Sequence, residues 1–130
     1  MNMRVPLARV RGHGSAKSGA HHWWVQRLSA IALVPLFLWF VASLVFIATA
    51  DYTTAVQWIR SPYNSALLIL LIGALFYHAQ LGMQVVFEDY ISTPWLQVAS
   101  ITLARFLAML LAVIAIVAVL SIALRTALGE

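Results

Sequence analysis

The segment SPYNSALLILLIGALFYHAQLGMQVVF, residues 61–87, carries no charged side chain, and its length decides the fold class. An α-helix crosses a hydrocarbon core about 30 Å thick with about 20 apolar residues. Two other runs, 28–50 and 106–124, are also free of charge and about this long. None of the three alternates apolar and polar residues with a period of two, which argues against strands. The sequence therefore predicts an all-α membrane protein with three transmembrane helices.

The composition of the chain agrees with a membrane protein and narrows its chemistry. Of the 130 residues, 63% are hydrophobic and 9% are charged, with a mean hydropathy of +0.92. A soluble domain is only about 45–50% apolar. The chain has no cysteine, which excludes disulfides, thiolate metal ligands and cysteine nucleophiles. Histidines, carboxylates and the backbone are left to carry any chemistry.

Basic residues near the helix ends predict the orientation, because cytoplasmic loops carry an excess of lysine and arginine. Six basic residues lie on one predicted side of the membrane and two on the other. The six are Arg4, Arg9, Arg11, Lys17, Arg27 and Arg105, and the two are Arg60 and Arg125. This bias predicts that the N-terminus lies in the cytoplasm. The membrane is expected to be the inner membrane of a bacterium. The bias also accounts for the net charge of +4, so no nucleic-acid partner is expected. The acid-free N-terminus leaves a mitochondrial transit peptide, and the mitochondrial inner membrane, as the alternative.

Serine or threonine followed by proline marks the start of a helix at Ser61-Pro62, and the same pattern recurs at Thr93-Pro94. The predicted organisation is a basic cytoplasmic tail over residues 1–20 and a transmembrane anchor domain over residues 21–130. Its helices are expected over about residues 26–50, 62–91 and 100–126.

The second predicted helix holds the one histidine that lies deep in an apolar run, His78. Ala74, Gly82 and Asp89 share a helical face with His78, because positions i, i+4 and i+11 lie within roughly 40° of one another. The small residues Ala74 and Gly82 would let a flat or bulky group approach the backbone beside the imidazole.

Gln80 and Gln84 lie on the opposite face of the same helix. An unbonded amide in hydrocarbon costs a few kcal/mol, so neither polar face is expected to meet lipid. The exposed faces of the first and third helices offer almost no polar partner, so these two helices are not expected to cover both polar faces. A partner membrane subunit is therefore expected to complete the bundle.

Three roles are open for His78: a hydrogen bond to a serine or carbonyl of a neighbouring helix, a proton relay, or a metal ligand. Zinc is disfavoured, because no histidine or carboxylate follows three or four residues later to complete a site. Haem iron needs only one imidazole from each side. Since the other histidines of this chain lie outside the apolar runs, a second axial histidine would come from another chain.

Two segments of the chain resemble the D-type hydrophobic membrane anchor of succinate dehydrogenase (complex II), the small anchor of its cytochrome b556. His78-Ala79, Leu81-Gly82, Val86 and Asp89-Tyr90 are similar to the signature of the second helix in that family, and residues 19–33, GAHHWWVQRLSAIAL, to the segment that opens the first. The signatures of the companion C-type anchor are missing.

The resemblance implies an anchor subunit of succinate:quinone oxidoreductase that passes electrons from the iron–sulfur subunit to ubiquinone. His78 corresponds to an axial ligand of haem b, whose second histidine comes from the C-type anchor. Tyr90 corresponds to a residue that hydrogen-bonds a quinone carbonyl, and Asp89 to its acidic neighbour. Arg27 and His21 correspond to residues near the haem propionates. The implied partners are the C-type anchor, the iron–sulfur subunit, the flavoprotein subunit and the lipid bilayer, and no catalytic residue is expected in this chain.

Other interpretations of the sequence stay open. A small proton or ion transport subunit could use His78, Gln80 and Gln84 as a polar path, and a purely structural anchor could lack the haem. Arg27 could anchor the end of a helix, and Tyr90 could belong to the interfacial aromatic belt.

Overall fold

The computed structural model describes residues 13–125, with side chains from residue 19 onward. It contains four helices in this part of the chain: α1 His13–Ile47, α2 Tyr52–Arg60, α3 Pro62–Tyr90 and α4 Pro94–Leu124. No strand occurs between residues 13 and 125, and three segments are long and apolar enough to cross a membrane: Gly19–Ile47, Pro62–Tyr90 and Pro94–Leu124. The prediction of an all-α protein with three membrane-spanning helices is confirmed. Residues 1–12 of the expected basic tail lie outside the described residues.

Two of the long helices begin earlier than the apolar runs indicate. Helix α1 begins at His13 rather than near residue 26, and α4 begins at Pro94 rather than near residue 100. Apolarity determines where a helix crosses hydrocarbon, whereas caps and proline determine where it starts. Pro94 occupies the first turn of α4, directly after Thr93. Only three residues, 91–93, therefore connect α3 to α4.

Helix α3 is the central element of the bundle. It packs against α1 on one side and α4 on the other, while α1 and α4 barely touch each other. The buried side chains among the described residues all lie on α3: Ser65, Leu68, Leu71 and Leu81. The outer faces of α1 and α4 remain apolar and exposed, as faces in contact with lipid or with another membrane subunit require.

Helix α2 is a short amphipathic element between the first two predicted membrane-spanning helices, where the sequence predicted no helix. Nine residues span about 13 Å, too short to cross a membrane. Asp51 caps α2 by accepting a hydrogen bond from the backbone N–H of Thr54 at 3.1 Å. Trp58 stacks on Trp39 of α1 with ring centroids 5.6 Å apart, and its carbonyl accepts a hydrogen bond from Asn64 of α3. These contacts hold α2 over the ends of α1 and α3.

Candidate functional site

The imidazole of His78 is half-buried between α3 and α1, where it meets a serine. Its Nδ1 lies 3.1 Å from the Oγ of Ser29, and that same Oγ lies 2.7 Å from the carbonyl oxygen of Gln26. A carbonyl only accepts and a serine hydroxyl has one hydrogen, so Ser29 donates to Gln26 and accepts from His78. A neutral imidazole that carries its hydrogen on Nδ1 has a free lone pair on Nε2. The serine contact is thus compatible with metal ligation through the other nitrogen.

Two adjoining cavities flank His78 along the groove between α1 and α3. One, of about 400 Å³, is lined by the apolar side chains Ala30, Leu33, Val34, Phe37, Leu38 and Leu75 together with His78. The other, of about 230 Å³, is lined by Trp23, Gln26 and Arg27 and shares Ala30 and His78 with the first. The groove is therefore apolar toward α2 and polar toward the start of α1, with the imidazole where the two parts meet.

The guanidinium of Arg27 gives the polar end of the groove a positive charge. Its Cζ lies 5.3 Å from the ring centroid of Trp23, within the range of a cation–π interaction. Arg27 and His78 thus line the same cavity, although they are far apart in the chain. His21 is exposed and lines neither of the cavities beside His78. His21 lies six residues before Arg27 and is therefore about 120° from Arg27 around the axis of α1.

The small residues beside His78 leave room next to the helix. A Cβ atom added to Gly82 would meet no heavy atom within 4 Å. Space is therefore open one turn from the imidazole, on the face predicted to accept a flat or bulky group.

Asp89 and Tyr90 are the last two residues of α3, and both side chains are exposed. Tyr90 is 86% exposed and has no side-chain hydrogen bond within residues 19–125. Twelve residues of helix place it about 18 Å along the axis from His78, at the end of α3 that is near the start of α1. This chain alone forms no enclosed site around these two residues.

A polar cluster between α3 and α4 was not foreseen from the sequence. Arg105 Nη2 donates to Gln84 Oε1 at 3.3 Å, and Gln84 Nε2 donates to Glu88 Oε1 at 2.9 Å. Gln97 Nε2 also donates to the carbonyl oxygen of Glu88 at 3.1 Å. The expectation that the first and third membrane-spanning helices offer almost no polar partner is therefore wrong, since Ser29 of α1 contacts His78 and Arg105 of α4 contacts Gln84. From the sequence, Arg105 was expected near the start of the third helix, whereas it lies eleven residues after the start of α4.

Among the residues that the structure describes, no three histidine, cysteine, aspartate or glutamate side chains are grouped closely enough to hold a metal ion. A metal bound by His78 would therefore not find a set of three such ligands in this part of the chain. Further ligands would come from elsewhere.

The comparison with protein families identifies the group to which this arrangement belongs. Residues 1–124 match the family described as succinate dehydrogenase/fumarate reductase transmembrane subunit. The chain belongs to this family. A transmembrane subunit is in agreement with the three long apolar helices of the described residues, which leave most of their apolar surface exposed.

Individual members of the family are similar over most of the chain. The succinate dehydrogenase hydrophobic membrane anchor subunit of Rickettsia bellii is 37% identical over 118 residues, which cover 91% of this chain and 94% of the relative. That of Rickettsia conorii is 35% identical over 92 residues, covering 70% and 73%. The succinate dehydrogenase membrane anchor subunit of Reclinomonas americana is 32% identical over 95 residues, covering 71% and 79%.

The resemblance to the membrane anchor of succinate dehydrogenase is thereby confirmed. The chain is a membrane subunit of an oxidoreductase complex, and such an anchor implies partner subunits.

Proposed function

We propose that this chain, with a C-type anchor, holds a b-type haem on His78 and contributes to a ubiquinone-reduction site. Electrons from the iron–sulfur subunit would pass to the quinone at this site, after the flavoprotein subunit has oxidised succinate. The observation that carries the proposal is the α1–α3 groove, in which an imidazole lies between an apolar cavity and a cavity lined by arginine. The complex would lie in a bacterial inner membrane with the N-terminus of this chain in the cytoplasm.

The residues of the groove fit a haem in three respects. His78 keeps the Nε2 lone pair that an axial ligand needs, because Nδ1 is occupied by the contact with Ser29. The apolar side chains beside it suit a porphyrin ring. Arg27 offers a cation at the end where carboxylate propionates would lie. When bound, a b-type haem supplies a one-electron redox centre.

The second axial ligand is expected from the C-type anchor. None of the other histidines of this chain lies in an apolar run, and the open space at Gly82 lies on the face that carries His78. A partner helix on this face would also cover the exposed apolar surface of α1.

Tyr90 and Asp89 suit the two protons that a quinone takes up on reduction. The phenol of Tyr90 is a hydrogen-bond donor for a carbonyl oxygen on which charge builds. The exposed carboxylate of Asp89 can exchange protons with water at the helix end. Because Tyr90 is 86% exposed in this chain, the walls of such a site would come from the C-type anchor and the iron–sulfur subunit.

A transport subunit is the less supported alternative. The hydrogen-bonded cluster of Gln84, Glu88 and Arg105 of α4 lies at the half of α3 that ends at Tyr90. In the other half, residues 66–76 are all apolar, so no polar path continues across the membrane along α3.

The visible spectrum of the purified complex tests the proposal. The wild-type complex should show a low-spin b-type signal, which His78→Ala should abolish or shift because iron loses one axial bond. His22→Ala is the matched control, since His22 lines a different cavity, with Gln84 and Glu88, and should keep the signal. An unchanged spectrum in a fully assembled His78→Ala complex would show that His78 is not the ligand.

A further inference from the structure

Ser29 is the residue of α1 that holds the imidazole of α3, and the sequence gives it no role of its own. The contact between His78 Nδ1 and Ser29 Oγ joins residues 49 positions apart and is the one hydrogen bond between α1 and α3 within residues 19–125. Both side chains are half-buried. The bond therefore couples the ring orientation of His78 to the position of α1.

The direction of the bond is fixed by the second contact of the hydroxyl. An oxygen–oxygen distance of 2.7 Å between Ser29 Oγ and the Gln26 carbonyl is typical of an O–H···O hydrogen bond. The hydroxyl hydrogen is thus committed to the backbone of its own helix. Only the lone pairs of Oγ face His78, and a lone pair there favours the ring tautomer with hydrogen on Nδ1.

We propose that Ser29 is a positioning residue that selects the Nδ1–H tautomer of His78 and aims its Nε2 into the groove between α1 and α3. This inference rests on the proposed role of His78 as a haem ligand. In a metal-binding histidine, the ring nitrogen that does not bind the metal commonly donates its hydrogen to a neighbouring group. This hydrogen bond fixes the orientation of the ring and increases the basicity of the nitrogen that binds the metal. A more basic ligand stabilises ferric iron more than ferrous iron, so the bond should also lower the midpoint potential of the haem.

Ser43 provides a matched control on the same helix. Its Oγ donates to the carbonyl of Trp39 at 2.8 Å, as Ser29 donates to Gln26, but within residues 19–125 it has no side-chain partner on another helix. Ser43→Ala therefore removes the same type of intrahelical bond without affecting His78. Ser29→Thr keeps a hydroxyl at the position of interest, and Ser29→Ala removes it.

The first measurement uses the assembled complex and its haem. Relative to wild type, Ser29→Ala should bind haem about 10-fold more weakly, at the low end of the 10–100-fold losses typical of such outer partners. The haem that remains should have a higher midpoint potential. Ser29→Thr and Ser43→Ala should match wild type in both quantities.

The second measurement does not depend on haem. Nitrogen-15 solid-state NMR of the full chain in lipid vesicles, labelled at histidine and prepared without haem, reports which ring nitrogen carries the hydrogen. The signal that disappears in His78→Ala should show hydrogen on Nδ1 in wild type and Ser43→Ala, and should shift toward Nε2–H in Ser29→Ala.

The two measurements separate failure of this inference from failure of the proposed function. A wild-type complex without a low-spin haem would remove the proposed function, while the NMR result would still show whether Ser29 selects the tautomer. If His78→Ala removes the haem but Ser29→Ala keeps the wild-type potential, occupancy and tautomer, the role of Ser29 is overturned and the haem site stands.

Discussion

Arg105 donates a hydrogen bond to the side-chain oxygen of Gln84 at 3.3 Å, across the contact between α4 and α3. Arg105 lies eleven residues into a helix of 31 residues, about 16 Å along an axis about 46 Å long. If a hydrocarbon core about 30 Å thick is centred on α4, the Cα of Arg105 lies about 8 Å inside the boundary of that core. Its long side chain can extend toward the interface, where Gln84 and the carboxylate of Glu88 form a polar environment.

A double-mutant cycle measures the interaction between Arg105 and Gln84. Gln84→Leu and Arg105→Leu should show a coupling of about 0.5–1.5 kcal/mol in the free energy of unfolding, since hydrogen bonds between membrane helices average about 0.6 kcal/mol and reach about 1.7. Denaturant titration of the complex in mixed micelles provides the free energies.

Gln80 gives the control for this cycle. It lines a cavity of about 180 Å³ together with Arg105, but the two side chains share no hydrogen bond. The Gln80→Leu and Arg105→Leu pair should be additive within about 0.5 kcal/mol. Equal coupling in both cycles would show that packing, rather than the hydrogen bond, joins Arg105 to α3.

The number of membrane-spanning helices could be predicted because it depends on the length of apolar runs alone. Helix α2 could not be predicted in this way, since nine amphipathic residues carry no comparable signal. The clue was local: Asp51, to which the sequence assigns no role, precedes Thr54 at the spacing of a helix N-cap. The start of α4 was also present in the sequence, as Thr93-Pro94, but the apolar run alone indicated a later position.

The candidate site was predictable only as separate residues. The spacing along one helix gave His78 its small neighbours, and the resemblance paired it with Arg27. The contact between His78 and Ser29 depends on how α1 is rotated against α3, which no pattern within a single helix determines. The same holds for the cavity that Arg27 and His78 share.

The cap of α2 predicts a stability effect in acid. The side-chain hydrogen bond of Thr54, followed by its backbone N–H, lowers the pKa of Asp51 below its ordinary 3.8. A carboxyl group whose pKa is lowered in the folded state stabilises α2 at pH values above the pKa of the unfolded state. This contribution is lost as the pH falls through the pKa of the folded state. Hydrogen exchange of residues 54–58, corrected for intrinsic rates, should show α2 opening more often near pH 3 than at pH 5.

Two variants test this assignment. Asp51→Asn should keep the cap and remove the pH dependence, whereas Asp51→Ala should raise the exchange of α2 at both pH values. If Asp51→Ala exchanges like wild type at pH 5, the side chain of Asp51 does not cap α2 in the membrane.

The basic residues and the three spans found among residues 13–125 predict the orientation of the chain. A reporter fused after Glu130 should lie in the periplasm, as should one inserted before α2 at Asp51. A reporter inserted at Ser92, between α3 and α4, should lie in the cytoplasm. The opposite pattern would place Asp89 and Tyr90 on the wrong side of the membrane for an iron–sulfur subunit in the cytoplasm.

The hydroxyl of Tyr90 is expected to contribute to quinone reduction. Tyr90→Phe keeps the ring and removes the donor, at a cost of about 0.5–1.5 kcal/mol in the bound quinone and more where the oxygen carries charge. Quinone reductase activity should fall strongly, while succinate oxidation with an acceptor that takes electrons before the quinone should stay near wild type. Equal losses in both assays would indicate failed assembly, and no loss in either would leave Tyr90 as an interfacial residue.

Gly82 tests whether the open face beside His78 is used. A Cβ at this position meets no heavy atom within 4 Å. Contacts within this chain should therefore not prevent a Gly82→Ala variant from inserting into the membrane. A larger side chain would instead fill the space that the proposed haem and the partner helix need. We expect Gly82→Leu to insert with wild-type yield but to lose the low-spin b-type spectrum, and Gly82→Ala to keep most of it. Wild-type haem content in Gly82→Leu would show that neither the haem nor the partner helix approaches α3 at this turn.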